Sequence, residues 1–452
     1  MVKSIDIEFI HNASLRILED IGVRLEHDGI VERMIRAGAI PGTSAQEVRL
    51  PRQMVMEYLA QAPSRVELAQ LDGTVDVLTC DSAPLFWTTP VMYWWTGRER
   101  RPITTGDLAA LSRLCNALPS VQGVMGVACA DVPPPQRDFV GVRVMAENTR
   151  RHVRALCFGP AGMDALREMK PVVRGNWLSV GFTAHGPLRW TNLALTIFER
   201  SAGSGIPVTI NGEPMAGVTG PVTLAGAMAV GNAEILSGIV INQVLEPGRP
   251  VIHNLGLAHT FDMRQATAVT GGPENALFAD AGAQLGRFYR LPSSSWSSTE
   301  SVFDDSQAAL EMALALQTHA AAGVSLIWGL GQLESEKTFS PAQLVIHDEI
   351  VGWVRRQLRG VEVNDQTVPM DLITQVGIGG AFLETDHTLE NFRDEFWQPH
   401  ILNRRARENC PSPLEEVARD RAKELMAAPP PGCLDDEQLA ELSRIEQAFS
   451  RK

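Results

Sequence analysis

One pattern repeats along most of this chain and limits the folds open to it: a short apolar stretch, a polar loop and a helical stretch. From about residue 84 onward this unit occurs eight times. Strands that alternate with helices form a parallel sheet, and eight such units close into a (β/α)8 TIM barrel. The predicted strands are residues 84–92, 122–129, 153–158, 177–183, 206–211, 250–255, 291–296 and 324–329. The pattern therefore predicts an α/β fold built on this barrel.

Other segments flank the predicted barrel on both sides. Three helical stretches come first, and residues 66–82 then alternate like a β-hairpin with Asp72–Gly73 at its turn. The chain becomes helical again beyond the last predicted strand. We therefore expect three parts: an N-terminal helical and hairpin cap at 1–82, a catalytic barrel at 83–340 and a helical extension packed on the barrel at 341–452.

Charge and composition exclude several classes of function. The 452 residues carry a formal charge of −13 and no basic run, which argues against binding to nucleic acid or to an anionic membrane. We find no apolar run of membrane-spanning length and no signal-peptide core near residue 1, so we expect a cytoplasmic protein. The six cysteines are scattered without a CxxC pair, which predicts neither a disulfide framework nor a zinc knuckle.

The loops that follow barrel strands carry the chemistry in this fold, so polar and aromatic residues there are the candidates. The most distinctive stretch is Leu291–Gln307, a strand that opens into a serine-rich loop and ends at a helix start. It offers Trp296, Ser298 and Glu300. The candidates in or after the other strands are Asn211, Glu213, His253, Asn254, Trp328, Glu334 and, farther on, His347.

Carboxylates together with tryptophans suit a cationic ligand. The face of a tryptophan ring attracts a quaternary ammonium ion, which cannot donate a hydrogen bond, and a carboxylate adds the opposite charge. Each residue alone also has a simpler explanation. A single tryptophan more often packs than binds, Glu213 can cap a backbone turn, and the stretch around Trp296 can be a serine-rich surface loop. The histidines match no strong metal-binding motif, so we expect no tightly bound metal.

Several stretches spread from residue 8 to about 405 carry a family resemblance. Two long ones are TGPVTLAGAMAVGNAEILSGIVINQVLEPGRPVIH and THAAAGVSLIWGLGQLESEKTFSPAQLVIHDEIVG, and shorter ones are IEFIHNASLRILEDIGV and FRDEFWQPHILNRR. In order and extent they resemble the trimethylamine methyltransferase family of corrinoid-dependent methyltransferases. The resemblance implies a barrel that moves a methyl group from a methylamine to the cobalt of a corrinoid. The DxHxxG signature of cobalamin-binding modules is missing from the sequence, so a separate partner protein is expected to carry the corrinoid.

One position departs from the members of this family that act on trimethylamine. Those members carry pyrrolysine in the loop before a D-x-Q that begins a helix, and counting back from Asp305 places that position near Ser298. Here the loop holds ordinary residues. A quaternary ammonium compound already carries a positive charge and leaves as a neutral tertiary amine, so it needs no such activation. The resemblance thus implies a member that acts on glycine betaine or a related betaine.

The resemblance also implies roles for the candidate residues. Trp296 and Trp328 would form walls of a cation cage. The expected countercharges are Glu300 and Glu213, taken as the catalytic pair, and Glu334. The expected partners of the rest of the betaine are His253, Asn254, Asn211, His347 and Ser298. We further expect a homo-oligomer. The alternative is a barrel homologue that binds a different N-methylated or cationic small molecule without methyl transfer.

Overall fold

The computed structural model describes residues 4–406, 409 and 412–451, so Cys410 and Pro411 lie outside it. Its centre is a closed barrel of eight parallel strands in chain order. The strands are β1 (Leu85–Thr88), β2 (Gly123–Met125), β3 (His152–Arg154), β4 (Leu178–Thr183), β5 (Val208–Asn211), β6 (Val251–Gly256), β7 (Ser293–Trp296) and β8 (Leu326–Leu330). Each overlaps one predicted strand, and the predicted fold class is confirmed.

A helix follows each barrel strand. The helices are α1 (Thr105–Ala117), α2 (Arg137–Asn148), α3 (Pro160–Met169), α4 (Asn192–Ser201), α5 (Leu224–Leu245), α6 (Pro273–Tyr289), α7 (Ser306–Ala321) and α8 (Pro341–Leu358). Local sequence explains where they begin. The Asp305 carboxylate accepts a hydrogen bond from the Ala308 N–H at 3.1 Å, which satisfies a backbone donor that the first turn of α7 leaves free.

The predicted division at 1–82, 83–340 and 341–452 stays a prediction, and α8 bears on it. This helix begins just after residue 340, yet it packs against α7 and β8 in the position of the eighth barrel helix. Among the described residues, four further α-helices follow it: Met370–Val376, Asp386–Glu395, Leu414–Met426 and Asp436–Ser450. The third of these packs on α8 and α1, and the fourth packs on α2 and α3.

Helix α5 is long and apolar enough to cross a membrane by length and composition alone. The expectation that the chain contains no such run is therefore wrong. Most of α5 is buried in the protein, where it packs against β5, β6 and the N-terminal helices Ile7–Arg16 and Arg52–Leu59. A helix that is covered on nearly all sides needs no polar face, which explains its composition.

The predicted hairpin, Val66–Ala69 with Val75–Leu78, closes the N-terminal end of the barrel. The Ala69 N–H donates to the Asn176 carbonyl at 2.9 Å, just before β4. Val66, Leu68 and Leu78 join the inward side chains of the barrel in one buried apolar cluster. Because this end is filled, a cavity in the barrel can open only at the carboxyl ends of the strands.

Two small sheets surround that open end. One contains Met215–Ala216, His259–Asp262 and Thr267–Val269, which follow β5 and β6. The other contains Tyr93–Trp95, Arg100–Pro102, Gln332–Leu333 and Thr338–Phe339, which follow β1 and β8. They hold the loops that carry Glu213, Glu334 and Glu336. One further small sheet lies outside the barrel, with the N-terminal helices and beside α4. It contains Val23–Leu25, Ile40–Pro41, Glu47–Arg49 and Arg189–Trp190, and the helix Asp28–Arg36 belongs to the same region.

Candidate active site

Two cavities share a wall at the open end of the barrel. The outer cavity, of about 750 Å³, lies at the mouth, and the inner cavity, of about 190 Å³, lies among the strands. Both are lined by Gly181, Thr183, Glu213 and Glu336. We call these the outer cavity and the inner cavity below. Their position agrees with the rule that barrel enzymes place their sites where the strands end.

Successive strand residues face opposite sides of the sheet, and this alternation determines which predicted residues face inward. Asn254 donates to the Asn211 side-chain oxygen at 2.8 Å, and Asn211 donates to the Thr183 hydroxyl at 2.9 Å. This row of polar side chains crosses β4, β5 and β6, and Asn211 lines the inner cavity. Two of the predicted residues are therefore brought together on the inner wall.

His253 and His347 lie away from both cavities. His253 faces α5, where its Nε2 is 3.0 Å from the Asn232 side-chain oxygen. His347 lies on α8, and its Nδ1 accepts a hydrogen bond from the Gly331 N–H at 2.9 Å. Burial lowers the pKa of each ring to about 3, so both are neutral near pH 7. The structure does not bring either ring to the place where a ligand's carboxylate would be bound.

Glu213 and Glu336 are the carboxylates that line both cavities. Glu213 follows β5, and Glu336 lies in the loop after β8. Burial raises the pKa of Glu213 to about 7 and that of Glu336 to about 8, and the negative charge of Glu213 also acts on Glu336. Within the described part of the chain, neither carboxylate has an ion-pair or hydrogen-bond partner. Such a pair is suited to a bound cation, although the exposed Lys337 also lines the outer cavity.

The loop after β8 has an unusual backbone that carries Glu336 to the cavities. Three consecutive residues, Glu334, Ser335 and Glu336, have φ values of 56°, 51° and 72°. Residues with a side chain seldom adopt these values, and backbone strain of this kind tends to occur at functional sites. The loop is held by backbone bonds from the N–H of Glu334 to Ser301 and from the N–H of Ser335 to Thr299, at 2.8 and 2.9 Å.

Of the predicted countercharges, Glu334 lies in this loop and Glu300 lies beside it, and neither lines either cavity. The Glu300 carboxylate accepts hydrogen bonds from the Thr270 and Gly271 N–H groups and from the Ser335 hydroxyl. Glu334 forms an ion pair with Arg100, in which Oε2 of Glu334 is 2.8 Å from Nη1 of Arg100. Both carboxylates therefore join loops to one another. Ser298 belongs to the same group, since its hydroxyl is 2.7 Å from that of Thr270, which lines the outer cavity.

The tryptophans Trp296 and Trp328 lie next to each other at the cavities. Trp296 lines the outer cavity, Trp328 lines the inner cavity, and their rings stack with centroids 5.4 Å apart and an angle of 11°. Stacked rings at this distance leave no space for a cation between them, so each can offer a ligand only its other face or its edge. A third tryptophan, Trp87, lines the inner cavity and stacks on His152 at 5.2 Å. Trp87 was not among the site residues predicted from the sequence.

Arg154 is the cation at the inner cavity that the sequence analysis missed. It lies on β3, and only 7% of its surface is exposed. No ion pair or hydrogen bond joins its side chain to another described residue, and its buried Nη1 has no partner. Burial lowers its pKa to about 9, which leaves it protonated near pH 7. An arginine inside a predicted buried strand is itself a signal of function, whereas Glu336 lies in a loop without any periodic pattern.

The structure shows no group of three or more His, Cys, Asp or Glu residues suited to a metal ion within 4–406, 409 and 412–451. The expectation of no tightly bound metal stays a prediction.

Comparison with known proteins places this geometry in a family. The family described as trimethylamine methyltransferase (MTTB) matches residues 1–449. The glycine betaine methyltransferase of Desulfitobacterium hafniense (strain Y51) is 30% identical over 469 residues, which cover 98% of this chain and 95% of that protein. The trimethylamine methyltransferase MttB of Desulfitobacterium hafniense (strain DSM 10664 / DCB-2) is 29% identical over 416 residues, 88% of this chain and 83% of that one.

A solved structure supports the fold. The Methanosarcina barkeri monomethylamine methyltransferase (MtmB) matches with a TM-score of 0.56 at 12% identity, over 98% of this chain and 86% of that one. At this identity the match concerns the fold alone. The family match over nearly the whole sequence, together with the closed barrel, leads to one conclusion. The chain belongs to the trimethylamine methyltransferase family.

Proposed function

We propose that this protein takes a methyl group from a quaternary amine, glycine betaine or a related betaine, and delivers it to the Co(I) of a corrinoid on a partner protein. The observation that carries the proposal is the pair Glu213 and Glu336, two carboxylates without a cationic partner among the described residues, at the outer cavity that Trp296 also lines. The likeness to a protein named glycine betaine methyltransferase, over 98% of this chain, supports the same substrate class.

Recognition of such a substrate depends on charge. A trimethylammonium group has no N–H donor, so it is bound by carboxylate charge and by the electron-rich faces of aromatic rings. Glu213 and Glu336 supply the charge, and the face of Trp296 that is not stacked on Trp328 supplies the aromatic surface. The bound cation would favour the ionised form of both carboxylates, which burial disfavours in the free protein.

The loop at the position of pyrrolysine supports a quaternary substrate. Ser298 is fully buried, and its hydroxyl contacts that of Thr270. No long side chain therefore extends from this position toward the cavities, and nothing in the loop resembles a group that activates a neutral amine. A quaternary amine needs no such group because it leaves as a neutral tertiary amine.

When docked at the mouth, the corrinoid of the partner would supply the Co(I) nucleophile that accepts the methyl group. The residues at the mouth fit the approach of such a group, because Phe158 and Leu193 line the outer cavity and stay half exposed. The chain's own task is to hold the N–CH₃ axis toward this opening. Orientation of this kind can lower a barrier by about 7 kcal/mol or more in well-ordered reactions. No side chain has to move a proton.

The proposal is tested by mixing the purified protein with cob(I)alamin and single amines. We expect glycine betaine or another quaternary amine to consume cob(I)alamin and to yield its demethylated amine by mass spectrometry. Trimethylamine should react far more slowly. Equal rates for both classes, or no reaction with any quaternary amine, would contradict the proposal. Tight binding of a quaternary amine without reaction would favour the alternative of a binding homologue.

A further inference from the structure

We propose that Arg154 binds the carboxylate of the substrate, so that the inner cavity selects ammonium compounds that carry a carboxylate. This inference rests on the proposed function for the cationic end of the ligand. It adds a second binding position and an orientation: the carboxylate lies inside the barrel and the ammonium group lies toward the mouth.

Arg154 lacks a counterion among the residues that the structure describes. A buried charge is costly unless it is paired, and buried arginines in proteins are therefore nearly always paired. Among the described residues no carboxylate lies within 4.0 Å of its guanidinium, not even Glu213 or Glu336 of the same cavity. Arg249, a second buried arginine whose pKa burial lowers, has hydrogen-bond partners, although its Nη2 also lacks one. It donates to the Ile206 carbonyl and to the Ser201 hydroxyl, both at 2.8 Å.

The strand register places the guanidinium at the cavity wall. Arg154 extends over Gly181 of β4, where an added Cβ would collide with the guanidinium Nη2. Gly181 lines both cavities, so the guanidinium lies near their junction. Below it, His152 is fully buried and contacts Ser179 and the Ala69 carbonyl. That side is therefore filled by neutral groups, and an anion can approach Arg154 only from the cavity.

Opposite charges are separated at the inner cavity. The inner cavity has an unpaired cation on β3 and two unpaired carboxylates, Glu213 and Glu336, that it shares with the outer cavity. This arrangement is complementary to a zwitterion. The planar fork of an arginine also matches the two oxygens of a carboxylate, which lysine cannot reproduce. With its carboxylate on Arg154, a betaine would present its methyl groups to the mouth, where the proposed reaction requires them.

The test is calorimetric titration of the purified protein with glycine betaine and with choline, which shares the trimethylammonium group but replaces the carboxylate by a hydroxyl. We expect the unmodified protein to bind glycine betaine at least about tenfold more tightly than choline, and Arg154→Gln to remove most of that preference. The affinity of the variant for choline should change little. The preference of Arg154→Lys for glycine betaine should lie between that of the unmodified protein and that of Arg154→Gln, because lysine keeps the charge without the planar fork.

Arg249→Gln is the matched control. It removes another fully buried arginine that lines neither cavity, so it should lower the melting temperature and leave the preference for glycine betaine unchanged. The inference is overturned if Arg154→Gln weakens both ligands equally, or weakens neither. It is also overturned if the unmodified protein shows no preference, a result that does not depend on any variant folding.

These outcomes differ from those that test the proposed function. Arg154-dependent binding of betaine without methyl transfer would refute the proposed function and leave this inference intact. Methyl transfer from betaine, with betaine binding unchanged in Arg154→Gln, would support the proposed function and refute this inference.

Discussion

At the scale of single residues, Glu213 and Glu336 have the least ordinary surroundings. Each is partly buried, burial raises the pKa of each, and the charge of Glu213 adds to the cost of ionising Glu336. A third carboxylate, Glu234, lies near Glu213, and burial raises its pKa to about 7 as well. Near pH 7 the side chains of Glu213, Glu234 and Glu336 together carry fewer than three negative charges. A bound cation would add the charge that lets more of them ionise.

The affinity for a quaternary amine should therefore depend on pH. In the proposed site the ionised carboxylates bind the cation, and their pKa values of about 7 and about 8 lie above the ordinary glutamate value. Binding should strengthen as the pH rises from about 6 to about 8, since protons that compete with the ligand are lost over this range. Glu336→Gln should remove the upper part of this dependence. Calorimetry at several pH values measures it, and an affinity that is constant with pH would show that neither carboxylate faces the cation.

Trp296 tests the aromatic part of the site. Trp296→Leu keeps apolar bulk and removes the ring face, so betaine binding should weaken by about tenfold, and Trp296→Phe should lose less. Because Trp296 stacks on Trp328, we also expect the leucine variant to melt at a lower temperature. Trp177→Leu is the control, since Trp177 is fully buried and lines neither cavity. If both variants lose stability and neither loses affinity, Trp296 only packs.

At the scale of elements, strands were easier to predict than loops, and the reason is physical. A strand alternates between two faces, so its position can be recognised from apolar spacing, and all eight barrel strands were found in this way. The same alternation means that neighbours such as His253 and Asn254 cannot both face the cavity, and only Asn254 points inward. A loop has no such period. Nothing in the sequence therefore distinguished Glu336, which lines the cavities, from Glu334, which pairs with Arg100.

Substitutions of Glu300 can distinguish two roles of a carboxylate in such a loop, which are to hold the loop and to supply a countercharge. Four hydrogen bonds to its Oε1 join it to Thr270, Gly271 and Ser335. Glu300→Gln keeps an oxygen for these donors and removes the charge, whereas Glu300→Ala removes both. If Glu300 holds the loop, the glutamine variant should bind betaine within about threefold of the original, and the alanine variant should lose about tenfold or more. Equal, large losses in both variants would instead indicate a countercharge.

At the scale of the whole molecule, the barrel is closed at one end and open at the other. The hairpin Val66–Ala69 with Val75–Leu78 fills the N-terminal end, and two small sheets arrange the loops around the mouth. Within this enclosure the charges are ordered along the barrel, with Arg154 among the strands and Glu213 and Glu336 nearer the mouth. The arrangement gives a zwitterionic substrate one direction in which to bind, with its methyl groups toward the opening.

The central claim is that the carboxylates at the mouth hold a quaternary amine for methyl transfer. The most direct measurement is the rate at which deuterated methyl groups pass from glycine betaine to cob(I)alamin, in the original protein and in the double variant Glu213→Gln, Glu336→Gln. We predict transfer in the original protein and a loss of at least about a hundredfold in the double variant, since each lost charge contact accounts for about tenfold. Undiminished transfer in the double variant, with both proteins folded, would contradict the claim.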